Sequence, residues 1–328
     1  MNLCFRRSAL LAAFAWFSFG SSILQAGSLM VTDYSNGDIK RYDATTGAFQ
    51  GVFVPSGSGG LGVPSYVTFD GAGNLLVSDF SNGAVRKYHA TTGAYMGDLV
   101  APGTGGLADA YGLVFGPSGD LYVATGSGGT VKRFNGSTGA FVGDFVPAGA
   151  GGLSYAVGLT FGPDGHLYVG DNTGTVKRYD GSTGAPLGDF ATPGGTPHTP
   201  VFGPDGDLYV NRFYGHSIRR YDGATGADLG DFVPHGTGGL EWVNDIAFGL
   251  DGNLYTVERY SHSILRFDGT TGAFLGAFVA PGSGGLGEVI NLAFQPQAVP
   301  EPATLPIVAV CVGAFLIRIA RRASGPDA

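Results

Sequence analysis

Cysteine is nearly missing from this chain of 328 residues. Its two cysteines, Cys4 and Cys311, stand near the two ends, with none between them. The body of the chain therefore holds no disulfide framework and no thiolate metal site. Positive charge is scarce too. Five of the 18 Lys and Arg residues and two of the 26 Asp and Glu residues fall outside residues 27–300, which leaves 13 against 24 and a net charge of −11. A body this acidic lacks the basic footprint that a nucleic-acid partner requires. It suits solubility outside the cell.

What the chain does have is a repeat, most legible in FGPDGHLYVGDNTGTVKRYDGSTGAPLGDF at residues 161–190. Marks of the Leu-Tyr-Val type begin at Leu29, Leu75, Leu121, Leu167, Leu208 and Leu254, spaced 46, 46, 46, 41 and 46 residues apart. A turn centred on Gly47, Gly93, Gly139, Gly184, Gly226 and Gly272 follows in step. Such a period, with several short apolar runs per copy, marks a β-propeller. Each copy carries four runs of β-branched and aromatic residues bounded by turn residues, here 157–161, 167–169, 175–179 and 185–190. Pro163 presets φ and Gly165 accepts positive φ, so residues 162–165 form a tight turn. The Gly-rich segments, such as residues 57–61 and 103–107, lack a Gly-Lys-Ser/Thr ending and recur once per copy. They read as connections between blades, not as phosphate loops.

The first run of each copy ends at Phe69, Phe115, Phe161, Phe202, Phe248 and Phe294. No such Phe precedes Leu29, and no Leu-Tyr-Val follows Phe294. Residues 28–54 thus supply three strands of one blade and residues 289–295 the fourth. The expectation is an all-β, six-bladed β-propeller of four-stranded blades, closed by pairing its N- and C-terminal strands.

The ends read differently. Arg6 and Arg7, the apolar stretch 9–19 and Leu24-Gln25-Ala26 make residues 1–26 a signal peptide. The propeller then occupies residues 27–298. Beyond it come Val299-Pro300-Glu301-Pro302-Ala303-Thr304, 13 apolar residues at 305–317, and Arg318, Arg321 and Arg322. An apolar run ending in positive charge reads as a membrane segment with its end in the cytoplasm. It is short against the roughly 20 residues of a stable span, which suits a temporary anchor. Residues 323–328 are a tail.

Residues 299–322 resemble the PEP-CTERM sorting signal of Gram-negative bacteria. The resemblance implies export, transient anchoring in the inner membrane, and processing by an exosortase-type membrane peptidase. Pro300, Glu301 and Pro302 would be its recognition element, with Arg318, Arg321 and Arg322 completing the signal. Delivery to the cell surface or an exopolysaccharide matrix would follow. The body resembles NHL-repeat propellers in its Gly-Pro-Asp-Gly-x-Leu-Tyr-Val run followed by Val-x-Arg-Tyr/Phe-Asp. That likeness concerns fold, since function lives in sites grafted on folds.

Functional residues are sought on the ring face where the copies vary, formed by the second-to-third-strand turns and the inter-blade connections. The second position after Leu-x-Val holds Asp33, Asp79, Thr125, Asp171, Arg212 and Glu258. Its acids read as turn stabilisers rather than Ca²⁺ ligands. The channel-mouth candidates are Tyr66, Tyr111, His198, Asn244, Asp245 and Asn291 on first strands, with Trp242 close by. The paired cations Lys40-Arg41, Arg86-Lys87, Lys132-Arg133, Lys177-Arg178 and Arg219-Arg220 read as a solvated strand facing acids such as Asp43, Asp180 and Asp222. The leading functional reading is a non-catalytic extracellular binding or scaffold protein that contacts polysaccharide or another surface protein and needs no cofactor. The alternative is a metal-dependent hydrolase or lyase at the channel mouth. Asn244-Asp245 ahead of Phe-Gly-Leu-Asp-Gly resembles a metal-ligating strand of gluconolactonase-like propellers, and streptogramin-lyase propellers offer a second comparison. That reading makes Asn244 and Asp245 ligands of Ca²⁺ or another divalent ion. A mouth lined by aromatic rings favours the first reading.

Overall fold

A computed structural model describes residues 27–296. The signal-peptide and sorting-signal expectations lie outside the described residues. Six antiparallel four-stranded sheets form the molecule. In blade one, β1 (Ser28–Asp33), β2 (Asp38–Asp43) and β3 (Phe49–Val54) are joined by β24 (Val289–Phe294), in the order β24-β1-β2-β3. Leu29 faces Phe294 and Val31 faces Leu292 across that pairing. The closure expected from the repeat count is therefore the one observed. Blades two to six start with the inner strands β4 (Pro64–Phe69), β8 (Ala110–Phe115), β12 (Ala156–Phe161), β16 (Pro197–Phe202) and β20 (Val243–Phe248). Each inner strand contacts those of both neighbouring blades, right round the ring.

The repeated aromatics explain why blades stack. In blades three to six the Tyr of Leu-Tyr stands edge-on between two phenylalanines. One is on its own outer strand and one ends the next blade's inner strand. Tyr168 lies 4.9 Å from both Phe190 and Phe202, and Tyr255 lies 4.9 Å from both Phe278 and Phe294. Edge-to-face pairs of this kind add about 0.5–1.5 kcal/mol each beyond their buried area. Blades one and two place Met30 and Leu76 there instead, both fully buried.

The Gly-rich connections lock neighbouring blades. Gly59 adopts φ 61°, and a Cβ on it would come within 2.3 Å of the Tyr95 ring in the next blade. Gly284 meets Phe49 in the same way, at 2.4 Å. Only glycine allows both the left-handed backbone and the aromatic ring lying against it. The third-strand tyrosine then donates to a loop carbonyl: Tyr88 to Ser58 at 2.9 Å and Tyr42 to Ser283 at 2.8 Å. Blade five is approached by the shorter segment 192–196. Its equivalent Tyr221 has a buried hydroxyl with no hydrogen-bond partner.

The acids after Leu-x-Val do hold their turns, and they do more. Asp79 is fully buried and accepts from Ser81 and Asn82 in its turn. It also accepts from Gly62 N at 3.0 Å and Val63 N at 3.2 Å in the incoming connection, and from Arg86 Nε at 2.7 Å. Asp33, Asp171 and Glu258 catch Gly287 N, Tyr155 N and Trp242 N likewise. One carboxylate thus ties a hairpin to the loop entering its own blade.

The paired cations correct the expectation of a solvated strand. The first members Lys40, Arg86, Lys132 and Lys177 are buried. They pair with Asp38, Asp98, Asp144 and Asp189, besides the turn acids Asp33, Asp79 and Asp171. Asp43, Asp180 and Asp222 instead cap their own turns, as when Asp43 accepts from Thr46 N at 2.8 Å. Strand alternation sends the two members of each pair to opposite faces. One member therefore turns inward, and in blades one, two and four it meets the buried turn acid there.

Candidate functional site

The register between first and second strands shifts in every blade, as between Pro64 and Val67 or Val243 and Asp245. A bulge leaves backbone groups off the ladder and re-aims side chains. In three blades a polar side chain of the second strand serves those groups. Ser78 Oγ accepts from Tyr66 N at 2.8 Å, Thr32 Oγ1 from Asn291 N at 2.9 Å, and Asn211 Oδ1 from Thr199 N at 2.7 Å. With the inner strands so held, side chains meet across the channel. The Tyr66 hydroxyl of blade two bonds Thr199 Oγ1 of the opposite blade five at 2.9 Å.

Asp245 sits in this polar floor. Its Oδ2 accepts from Asn291 Nδ2 at 2.6 Å and from Leu292 N at 3.0 Å, while its buried Oδ1 has no partner. Burial pushes its carboxyl up to about 7, and the donors around it, Thr199, Leu292, Ile246 and Asn291, only partly oppose that. Tyr66 is pushed well above its usual range by burial and by the nearby Asp245. Asn244 donates from Nδ2 to Val289 O at 2.9 Å, and its Oδ1 is also buried and unpartnered. Asn291 Oδ1 accepts from Val67 N at 3.0 Å. These three side chains thus bond the strand that closes the ring or are carried by it. As a metal shell the group offers one carboxylate and two carboxamides, against the roughly six to eight oxygens that Ca²⁺ takes. Among the described residues no set of three or more His, Cys, Asp or Glu is arranged to hold a metal ion.

Above the floor the mouth is aromatic. The His198 ring stacks on Phe213 at 4.8 Å and 14°. Phe213 meets Trp242 edge-on at 5.1 Å, and Trp242 in turn meets Tyr214 at 5.6 Å, Tyr260 at 5.1 Å and His216 at 4.6 Å. On the other side, Tyr111 packs against Phe80 at 5.3 Å and against Tyr155 and Tyr66 at 6.1 Å each. The Arg259 guanidinium lies 5.6 Å from the Phe213 ring centre and pairs with Glu288. It acts electrostatically on both Tyr111 and His198. Burial brings His198 down to about 4, Arg259 pushes the same way, and a hydrogen bond to the Asn244 backbone opposes. His198 nevertheless keeps part of its surface on the channel space. Burial pushes the Tyr111 hydroxyl up to about 12.

Tyr66, Tyr111, His198, Asn244, Asp245, Asn291 and Trp242 thus belong to one connected cluster. Their sequence spacing did not reveal Phe80, Tyr155, Phe213, Tyr214, Arg259 and Tyr260. Most of these occupy the two positions after the turn acid, which read Tyr34-Ser35, Phe80-Ser81, Gly126-Ser127, Asn172-Thr173, Phe213-Tyr214 and Arg259-Tyr260. That variation between copies was the available signal.

Two turns bordering this cluster carry backbone strain. His216 and His262 have φ of 54° and 52°. The same turn position holds Gly37, Gly83 and Gly129 in blades one to three, also at positive φ. A side chain in the left-handed region costs about 1–2 kcal/mol. His262→Gly is expected to stabilise the fold by up to about 1 kcal/mol, read as a raised urea midpoint. His216→Gly should gain less, because the His216 ring bonds Glu241 O and packs on Trp242. A lowered midpoint for His262→Gly would mean that the imidazole repays the strain.

No protein-family model matches the chain, and no curated protein matches it in sequence. Solved structures do share its architecture. A crystal structure of a protein of unknown function from Bacteroides caccae matches with a TM-score of 0.66 and 16% identity, over 83% of this chain and 100% of that one. A chain in the crystal structure of a nidogen/laminin complex matches with a TM-score of 0.65 and 14% identity, over 82% and 98%. At such identities the likeness concerns fold alone, and it agrees with the strand order: this chain is a six-bladed β-propeller.

Proposed function

We propose that this propeller is an exported, non-catalytic binding protein of the cell surface or extracellular matrix of a Gram-negative bacterium. The channel mouth at blades five and six is its binding surface. The observation that carries this reading is the aromatic wall around Trp242. Tyr214 and Tyr260 flank it with 62% and 64% of their surface exposed, far more than large aromatic side chains usually leave in water. Beneath the wall, the Asp245 carboxylate is engaged in joining blade six to the closing strand, a structural task.

Export and sorting rest on residues 1–26 and 299–322. In this reading an exosortase-type peptidase recognises Pro300-Glu301-Pro302 while the 13-residue apolar run holds the chain in the inner membrane. At about 1.5 Å per residue that run spans about 20 Å, less than the roughly 30 Å hydrocarbon core, so it is a weak anchor. Replacing Pro300, Glu301 and Pro302 by Ala should leave an uncleaved chain in the inner membrane, while the wild-type body reaches the surface or matrix fraction. Fractionation and immunoblotting in a host with a sorting peptidase give the answer. Equal processing of the two chains would make the tail an ordinary anchor.

A further inference from the structure

We infer that the wall formed by Trp242, Tyr214 and Tyr260 binds an uncharged glycan. This deepens the binding reading above and rests on it. Phe213, Tyr214, His216 and Tyr260 meet Trp242 at interplanar angles of 63°, 81°, 84° and 72°. The rings therefore stand at steep angles to one another, unlike a flat apolar patch. Rings held this way offer π-faces edged by polar groups. Here those groups are Glu241, His235 and His216, with His235 Nε2 3.0 Å from Glu241 Oε2. A pyranose is the complementary shape. One face carries C–H bonds that lie against an aromatic ring, and its rim carries hydroxyls that need hydrogen-bond partners.

Charge narrows the class. Arg259, the cation of the wall, is already paired with Glu288. The body as a whole is acidic, at −11 over residues 27–300. A uronate or sulfated polymer would meet no spare positive charge and would be repelled, whereas a neutral sugar meets neither obstacle. The strained turns are a separate observation. Among the described residues, non-glycine positive φ occurs only at His216 and His262. These are the turns that carry Tyr214 and Tyr260. Strain confined to the turns bearing exposed aromatics is the pattern of a functional site.

The chain has a built-in reporter, because Trp16 and Trp242 are its only tryptophans. The test uses the full chain with Trp16→Phe, titrated with cellohexaose, maltohexaose, chitohexaose and hexagalacturonate. At least one neutral hexaose should shift Trp242 emission to the blue and saturate. Tyr214→Ala with Tyr260→Ala should weaken that binding by at least about tenfold. The urea midpoint should stay in place, because both side chains are largely exposed. The inference falls if no neutral hexaose alters Trp242 emission, if hexagalacturonate binds more tightly, or if the double variant binds as well as its parent. Its failure is separable from that of the broader reading. A chain that is retained in the matrix fraction yet blind to neutral sugars keeps the binding role and loses the glycan. A chain found in no surface or matrix fraction loses the broader reading, whatever it does with sugars.

Discussion

A chain lacking residues 288–298 should lose its cooperative unfolding transition. The deletion removes β24 and with it Val289 and Leu292, which pack with Leu29, Val31, Tyr255 and Val257 of the two adjoining blades. Ile290 leaves the cluster containing Tyr66 and Leu113, and Phe294 leaves the Tyr255 ring. Burying each large apolar side chain is worth about 1.5–3 kcal/mol. The buried Val289 and Leu292, with the half-buried Ile290 and Phe294 beside them, bring the loss into the range of the roughly 5–15 kcal/mol by which a whole domain is stable. Polar losses add to this. Asn244 loses Val289 O, Asp245 loses Asn291 Nδ2 and Leu292 N, and Val67 N loses Asn291 Oδ1. The exposed edge of β1 and the flank of blade six would then invite pairing with other chains. Circular dichroism during urea unfolding is the measurement. A truncated chain that melts like the parent would show that β24 does not close the ring.

That strand was legible in the sequence because the repeat is an exact count. A Phe-ended run without its Leu-Tyr-Val at one end answers a Leu-x-Val without its Phe at the other. The Tyr and Phe that mark the repeat are also the residues that interlock blades, so the pattern and the packing coincide. The mouth was only half legible, for two reasons. Its contacts join residues far apart in the chain, as with Tyr66 and Thr199, and spacing along one strand carries no information about the opposite blade. Its wall also stands on turns, where the repeat imposes no apolar pattern. An aromatic there reads as one loop residue among others until Trp242, Tyr214 and Tyr260 are seen together. The Lys40 partner was not legible for a simpler reason. Asp43 is near in sequence, but it already caps its own turn.

Between about pH 4 and 6.5 two groups, Asp245 and the half-buried His198, should pull stability in opposite directions and nearly cancel each other, and single substitutions should expose each slope. Burial raises the Asp245 carboxyl from its ordinary 3.8 to about 7 in the folded protein. Its folded state holds the proton more tightly, so its contribution is fully present below about pH 3.8 and is lost as pH rises toward 7. At about 1.4 kcal/mol per pH unit the loss is roughly 4 kcal/mol. His198 has a folded pKa of about 4 against 6.5. Its contribution is present above pH 6.5 and is lost as pH falls toward 4, roughly 3 kcal/mol in all. Asp245→Asn keeps an acceptor for Asn291 Nδ2 and Leu292 N but cannot ionise. Its stability should rise with pH through this window and exceed the wild type by a few kcal/mol at pH 8. His198→Gln keeps a neutral polar group and should show the reverse, with stability falling as pH rises. Urea unfolding at pH 4.5, 5.5, 6.5 and 7.5, taken as the difference between each variant and the wild type, cancels the depressed carboxylates common to all three proteins, such as Asp79 and Asp70. Difference profiles with no slope would show that the folded protein holds neither Asp245 protonated nor His198 neutral through this window.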